Sequence, residues 1–199
     1  EQAAHWNWCA EKIHKFQQRH NRRPRILNLF AYSGLASLHA AYAGAEVTHV
    51  DASKKAIAQA FENRDVCGLE DMPIRFITDD AKGFVAREIR RQRAYDGIIM
   101  DPPKYGRGPK GETWRIEADL CPLLRQAINL LSGHALFLVL TIYAIRASSL
   151  AAHYTLADLI KDRPGFIEAG ELAIEESALS DMDTRRCISQ ANFARWAAY

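Results

Sequence analysis

The sequence predicts an α/β fold whose largely parallel sheet is covered by helices on both faces. Short apolar runs of strand length alternate with amphipathic, helix-like segments along almost the whole chain, and this alternation is typical of parallel sheets. Polar residues follow several of these runs directly, at the sheet edge where open α/β folds bind ligands. The chain has 199 residues, of which 48% are hydrophobic, so it is expected to form one domain over residues 1–199.

The predicted elements follow one another in a regular order, and each rests on the period of its apolar residues. A helix at 3–18, within an N-terminal segment 1–22, comes first. The predicted strands are 25–30, 46–50, 74–77, 95–100, 135–141, 166–174 and 187–197, and the helices between them are 35–42, 52–66, 81–91, 115–131 and 148–161. Residues 106–111 are predicted to be a loop. The polar stretch 175–184 is predicted to join the last two strands as an antiparallel hairpin.

Composition narrows the class of protein. A net charge of +2 does not by itself indicate nucleic-acid binding, and the basic run 19–25 is expected to be a solvated face. The four cysteines lack disulfide or zinc-ligand spacing, which predicts a reduced, cytoplasmic protein without a metal site. No apolar run approaches the roughly 18 residues of a membrane span. A monomer or homodimer is expected, and the start at Glu1 rather than methionine leaves an upstream segment open.

The most informative motif is Asp101-Pro102-Pro103-Lys104-Tyr105-Gly106, directly after an apolar run. Prolines fix φ near about −65° and lack an N–H, and the residue before a proline stays extended. An ordinary proline-rich loop is the alternative. If the run is a strand, this turn fixes a carboxylate and carbonyl groups at the ligand-binding edge of the sheet.

Three further strand exits carry polar residues. The turn 28–34 contains a single glycine, Gly34, and lacks the pattern that binds a dinucleotide pyrophosphate. Asp51 follows the second strand, where an acid accepts both hydroxyls of a ribose, and Asp79-Asp80 follow the third, where a carboxylate accepts an adenine amino group. Helix capping is the alternative for Ser33 and for these acids. Together the exits predict an adenosine without phosphate, which fits S-adenosylmethionine (SAM) better than NAD or ATP.

With these motifs the chain resembles class I SAM-dependent methyltransferases, and most closely the bacterial 23S rRNA methyltransferases of the cytosine-C5 and guanine-N7 type. The resemblance implies a Rossmann-like, doubly wound sheet of seven strands, mostly parallel, with an antiparallel last strand. It also implies SAM contacts that run from the methionine end to the adenine: Phe30, Ala31, Tyr32, Ser33 and Gly34, then Asp51, Ala52 and Ser53, then Asp79, Asp80 and Ala81. Asp101 would lie beside the sulfonium, and Gln2 matches a glutamine that lies near the cofactor in these relatives.

One departure from this family changes the predicted chemistry. Methylation of cytosine C5 requires a cysteine thiolate that adds to C6, and in the C5 relatives this cysteine follows the fifth strand. The corresponding residues 140–144 contain no cysteine, and Cys121 has the pattern of a core residue. A nitrogen or oxygen acceptor needs no such thiolate, and nitrogen is the predicted target. Asp101 and the carbonyl region of Pro102 and Pro103 would hold an exocyclic amine, with Lys104 completing the catalytic group.

An RNA base, most simply of ribosomal RNA, is the predicted substrate. Tyr105 and Tyr143 are candidates for stacking on the base, although core or surface roles are equally simple. Arg107 and Lys110 are candidates for contacts with RNA phosphates, together with Lys104 and Arg115. Two other hypotheses stay open at this point: a methyltransferase for a small molecule or protein, and a non-catalytic RNA-binding relative.

Overall fold

The computed structural model of the chain describes residues 2–143, 147–176 and 186–199. Within these residues the helices are α1 (Ala3–His20), α2 (Leu35–Tyr42), α3 (Lys54–Val66), α4 (Ala81–Arg90), α5 (Ile116–Ile128) and α6 (Ser149–Ile160). The strands are β1 (Arg25–Leu29), β2 (Glu46–Asp51), β3 (Ile74–Thr78), β4 (Gly97–Met100), β5 (Tyr105–Arg107), β6 (Thr113–Arg115), β7 (Phe137–Ile142), β8 (Phe166–Glu175) and β9 (Cys187–Ala197).

Seven of these strands form one sheet in the order β3-β2-β1-β4-β7-β9-β8. The first five are mutually parallel, whereas β9 is antiparallel to both of its neighbours, β7 and β8. The predicted fold class is thereby confirmed, including the antiparallel last strand. In register, Leu29 of β1 pairs with Val50 of β2 and with Met100 of β4. Their carboxyl ends are level, so the residues that follow meet at one edge.

Two apolar layers cover the central strands because successive side chains of a strand point to opposite faces. Ile26, Val47 and Phe137 pack with α1 and α2 on one face. Leu27 and Leu138 pack with α4, α5 and α6 on the other. Both faces are buried, which explains why the strands read as nearly continuous apolar runs.

The structure departs from the predicted elements in the segment after the double proline. Where a loop was predicted at 106–111, β5 and β6 form a two-stranded antiparallel hairpin. The predicted strand at 95–100 begins only at Gly97, because Tyr95 forms an isolated bridge to Leu131. The predicted connection 175–184 lies largely outside the described residues, as does Ala144. No helix in the described ranges is both long and apolar enough to cross a membrane.

A buried carboxylate ties α1 to the start of β1 and β4. Asp96 accepts hydrogen bonds from both terminal nitrogens of Arg22 (2.7 and 3.0 Å), from the Arg25 amide (2.8 Å) and from Ser132 Oγ (2.7 Å). Burial raises the pKa of Asp96, but these hydrogen bonds outweigh it and hold the pKa below its usual value. The carboxylate is therefore ionised and fully paired in the folded protein.

Asp96→Asn is expected to lower the free energy of unfolding at pH 7 by about 2 kcal/mol, because an amide cannot accept all four bonds. Urea unfolding measures this, with the exposed Asp71→Asn as a control that should change little. Since the folded-state pKa lies below the unfolded value of about 4, the difference between wild type and variant should shrink as pH falls below about 4. An equal effect of Asp71→Asn would contradict the assignment.

Candidate functional site

A cavity of about 610 Å³ opens at the carboxyl edge of the sheet. Its wall is formed by residues that follow β1, β2, β3, β4 and β7, by the β5–β6 hairpin and by the part of β9 that extends past β7. The volume lies within the range of about 300–1,000 Å³ that is usual for small-molecule sites. The predicted strand-exit residues thus meet at one cavity.

The turn between β1 and α2 has an unusual backbone. Phe30, Tyr32 and Gly34 all have positive φ values, of 57°, 48° and 88°. For the two aromatic residues this conformation costs on the order of 1–3 kcal/mol and requires support from the surroundings. At Gly34 a Cβ atom would lie 2.9 Å from Ala60 Cβ, so glycine also allows α2 to pack closely on α3.

Neighbouring elements hold this turn in place. The Ala31 amide donates to Val50 O (3.1 Å), the Tyr32 amide donates to Asp51 Oδ2 (2.9 Å), and Asn63 Nδ2 donates to Ser33 O (2.8 Å). Beneath it, Ser37 Oγ accepts from Asn28 Nδ2 at 2.9 Å and lies 3.0 Å from His49 Nδ1. The strained turn is therefore built before any ligand arrives.

Asp51, at the end of β2, accepts two hydrogen bonds from backbone amides. Its Oδ2 accepts from Tyr32, and its Oδ1 accepts the Ser53 amide at 2.8 Å. A carboxylate has about four acceptor positions, so about two remain for a ligand in the cavity. Helix capping was the alternative role for Asp51, but the residue that caps α3 is Ser53, whose Oγ accepts from the Ala56 amide.

The two acids after β3 differ in their surroundings. Asp80 is buried and caps α4, its Oδ2 accepting the Gly83 amide at 2.9 Å. Asp79 forms an ion pair with Arg87 and accepts the Asp80 amide at 2.9 Å. Both line the cavity, together with Ala81. Capping and ligand contact are compatible here, since one carboxylate oxygen of Asp80 is not used by the cap.

Asp101 lies at the centre of the wall. Gln2 Nε2, just before α1, donates to Asp101 Oδ2 at 3.2 Å. Burial and the nearby Asp101 carboxylate raise the pKa of Tyr143, so this phenol stays protonated. A carboxylate, an amide and a phenol therefore lie near one another in the cavity wall.

A smaller cavity of about 310 Å³ shares Gln2, Phe30, Tyr32 and Asp101 with the larger one. His5 of α1 lines it, is buried, and packs edge-on against Phe193 of β9 with ring centroids 4.7 Å apart. Burial, helped by the charge of Arg195, lowers the pKa of His5 to about 4. The ring is consequently neutral near pH 7.

The β5–β6 hairpin is anchored by a tryptophan. Trp114 is buried, its Nε1 donates to Pro103 O at 2.7 Å, and its ring lies 4.8 Å from that of Phe30 between centroids. The Ile116 amide also donates to Lys104 O at 3.0 Å. Trp114 thus joins the double-proline turn to the β1–α2 turn, the two segments that flank Asp101.

For the methyl transfer predicted from the sequence motifs, Trp114→Phe is expected to lower kcat about tenfold, or about 1.4 kcal/mol, because Pro103 loses its donor while the contact with Phe30 is largely kept. The dissociation constant (Kd) for SAM should stay within about twofold by calorimetry. Trp196→Phe is the matched control, since its buried indole nitrogen has no hydrogen-bond partner among the described residues. A normal kcat for Trp114→Phe would mean that the hairpin does not position the Pro103 segment.

Most predicted site residues meet at these two cavities. The larger is lined by Gln2, Phe30, Tyr32, Asp51, Ala52, Ser53, Asp79, Asp80, Ala81, Asp101, Arg107 and Tyr143, and the smaller also by Ala31 and Ser33. Five predicted residues line neither cavity: Gly34, Pro102, Lys104, Tyr105 and Lys110. Gly34 is the residue just before α2, Pro102 is buried, and the other three are exposed. Their proposed roles stay predictions.

The sequence-based prediction missed other parts of the wall. These are Val50, Gly106, Gly108, Trp114, Gln190 and Ala191, whereas Pro103 belongs to the predicted double-proline turn. Trp114 carried one signal, because Thr113-Trp114-Arg115 alternates polar and apolar side chains after the turn residues Gly108 to Gly111. The sequence gives no such signal for Gln190, because its position in the cavity wall depends on how far β9 extends past β7.

No cysteine lines the larger cavity in the described part of the chain. Cys9 lines the smaller cavity, but burial raises the pKa of its thiol to about 12 even though Arg195 and Lys12 act in the opposite direction. Such a thiol is not ionised near neutral pH and is a poor nucleophile. Cys121 is exposed rather than in the core, which corrects the prediction made for it, because it lies on the outer face of α5.

Comparison with known proteins agrees with this geometry. The model of the family described as conserved hypothetical protein 95 matches residues 2–114. A ribosomal RNA large subunit methyltransferase K/L of Shewanella baltica is 38% identical over 110 residues, which are 54% of this chain and 15% of that protein. The chain therefore corresponds to a small part of this curated relative.

Solved structures share the whole fold. A SAM-dependent methyltransferase from Agrobacterium tumefaciens superposes with a TM-score of 0.94 and 45% identity, over 100% of this chain and 62% of that one. A magnesium protoporphyrin IX methyltransferase from Synechocystis, solved with bound SAM, has a TM-score of 0.58 at 15% identity over 99% of this chain and 81% of its own, and shows the fold alone. The resemblance stated from the sequence motifs is confirmed. With a model match over more than half its length, the chain belongs to the conserved hypothetical protein 95 family.

Proposed function

We propose that the chain is a SAM-dependent methyltransferase domain that methylates a base of large-subunit ribosomal RNA at a nitrogen atom. The observation that carries the proposal is the convergence of Asp51, Asp79, Asp80 and Asp101 on one cavity, next to a strained turn without phosphate-binding glycines. The methyltransferases named above share this fold, and the curated relative is named for ribosomal RNA.

The cavity fits SAM in size and in the chemistry of its wall. Asp51 retains acceptor positions for the two ribose hydroxyls, and Asp80 retains one oxygen for an adenine amino group. Phe30, Tyr32 and Gln2 would enclose the methionine end. A site built for a pyrophosphate would instead present several glycine amides at this turn.

When bound, SAM supplies a methyl group that is already strongly electrophilic, so positioning of the acceptor carries much of the acceleration. Asp101 is placed to accept a hydrogen bond from an amine of the base and to receive its proton. Gln2 holds one oxygen of that carboxylate in place. The Pro102-Pro103 turn gives Asp101 a fixed backbone, and Trp114 fixes the carbonyl of Pro103.

The lack of an ionised cysteine thiol in the described part of the site favours a nitrogen acceptor. Attack on cytosine C5 needs a thiolate next to the base, and none of the described residues of the larger cavity is a cysteine. The buried Cys9 thiol is protonated near pH 7. A nitrogen lone pair needs no such activation, and a carboxylate suffices to remove its proton.

Basic residues near the cavity support an RNA substrate. Arg107 lines the opening, and Lys104, Lys110 and Arg115 are exposed on the same hairpin and its flanks. Tyr143, 38% exposed, offers an aromatic face at the opening. Tyr105 is also exposed there. The proposal also includes a single domain over residues 1–199 and catalysis without a metal ion. The protein is proposed to be cytoplasmic and to be a monomer or a homodimer.

The test is methyl transfer from radiolabelled SAM to rRNA isolated from a strain that lacks the gene. Label in large-subunit RNA of that strain but not of wild type, followed by mass mapping of one methylated nitrogen, is the expected result. Label in a metabolite or protein alone would reject the RNA substrate. Absence of SAM binding in calorimetry would reject the enzyme, and a methyl group on C5 would reject the nitrogen acceptor.

A further inference from the structure

A second groove lies at the opposite edge of the sheet from the candidate site. It has a volume of about 430 Å³ between the second half of α1, the segment before β7 and the end of β9. Lys12, Lys15, Arg19, His20 and His134 line it, and none of its described lining residues is acidic. We propose that this basic groove binds the phosphodiester backbone of the RNA that flanks the methylated base, an inference that rests on the proposed function.

The positive charges of the basic groove are not neutralised by the protein. Neither Lys15 nor Arg19 pairs with a carboxylate anywhere in the described ranges, whereas the nearby Arg22 pairs with Asp96. Burial and the adjacent Lys15 lower the pKa of Lys12, as expected where cations are crowded. Glu168 acts in the opposite direction on the pKa of Lys12, but its carboxylate accepts a hydrogen bond from Arg195 Nε at 2.8 Å. A polyanion is the ligand class that such a cluster attracts.

Ring contacts give the groove a fixed shape. The His20 ring lies 4.3 Å from that of the buried Phe16 and 5.1 Å from that of His134, between centroids. These contacts hold the two walls of the groove, one from α1 and one from the segment before β7, against each other. The site is more than a set of freely moving lysines on a surface.

Its position relative to the cavity favours a polymer over a small phosphorylated molecule. α1 begins next to Gln2, which lines the cavity, and ends at His20 in the basic groove. Its 18 residues span about 27 Å, the length of about eight nucleotides at the roughly 3.4 Å spacing of a stacked strand. One continuous RNA segment can therefore contact both sites.

Between the two sites lies one half-buried aromatic ring with two cations beside it. Near the middle of α1, the Trp8 ring lies 4.5 Å from Lys12 Nζ and 4.5 Å from the guanidinium of Arg195. Aromatic rings interleaved with cations are typical of surfaces along which RNA or single-stranded DNA lies. A small anion would bind in the groove alone and would not contact the surface around Trp8.

The test uses Lys15→Glu/Arg19→Glu in the full chain, with a fluorescein-labelled, unmodified large-subunit rRNA transcript as the probe. The RNA Kd is expected to rise about 30-fold at low salt, and the slope of log K against log salt should fall by about two. Arg90→Glu/Arg93→Glu is the matched control, because both arginines are exposed at the end of α4, on the other face of the sheet. The Kd of that control should change less than threefold.

Calorimetry with SAM and far-UV circular dichroism report separately on the cofactor site and on folding, and both are expected to match wild type in the groove variant. Unchanged RNA affinity in the groove variant, or an equal loss in the control variant, would overturn the basic groove as an RNA site. If wild type binds SAM but no RNA, the proposed acceptor fails together with the groove. If wild type binds RNA and the groove variant binds it equally well, only this inference fails.

Discussion

Asp101→Ala is expected to lower kcat for methyl transfer about a thousandfold, within the range usual for loss of a positioned proton acceptor. The acceptor amine loses the carboxylate that orients it and takes its proton. SAM binding rests mainly on the turn at 30–34 and on Asp51, so its Kd should change less than about fivefold. Single-turnover transfer to unmodified rRNA and calorimetry with SAM measure the two quantities separately.

Two further variants separate orientation from proton removal. Asp101→Asn keeps an acceptor oxygen and should retain more activity than Asp101→Ala at each pH. Gln2→Ala removes only the 3.2 Å hydrogen bond to Asp101 and should cost about tenfold or less in kcat. A fully active Asp101→Ala enzyme would remove this carboxylate from the mechanism.

Asp51→Ala is expected to weaken SAM binding about 100-fold, the equivalent of about 2.7 kcal/mol. Two ribose hydroxyls lose a charged acceptor, and the Tyr32 amide loses the partner that holds the strained turn. The Kd from calorimetry is the measurement. At saturating SAM, kcat should recover to within about tenfold of wild type, because Asp51 does not act on the acceptor.

Glu62→Ala is the control for Asp51→Ala, since Glu62 is an exposed acid on α3 away from the cavity wall. Its effect on the Kd should be less than about twofold. Asp51→Asn keeps one acceptor oxygen and should fall between the two. Equal SAM affinity in wild type and Asp51→Ala would contradict the assignment of the ribose to the end of β2.

The positions of the strand exits were predictable because they depend on local patterns. Asp51 and Asp101 each follow an apolar run, and parallel strands bring such exits to one edge. A helix cap at the exit of the second strand was also predictable, although the capping residue is Ser53 rather than Asp51. These inferences needed no knowledge of distant contacts.

The remainder of the wall depends on tertiary contacts. The strands of the β5–β6 hairpin are three residues long, too short for a reliable period, and Trp114 fixes them through Pro103 and Phe30. The positive φ values of Phe30 and Tyr32 arise from the packing of the turn and carry no residue-type signal. Lys104 and Tyr105 belong to the double-proline motif, but both are exposed and neither lines the cavity.

The place of β9 between β7 and β8 also constrains how the molecule folds. β8 is made just before β9, but it is joined to the rest of the sheet only through β9. During synthesis the first five sheet strands can assemble as they emerge, whereas β8 must wait beside them with an unsatisfied backbone edge. Completion of the sheet is thus a late event, and a nascent chain halted before residue 187 should remain susceptible to proteases in 166–176.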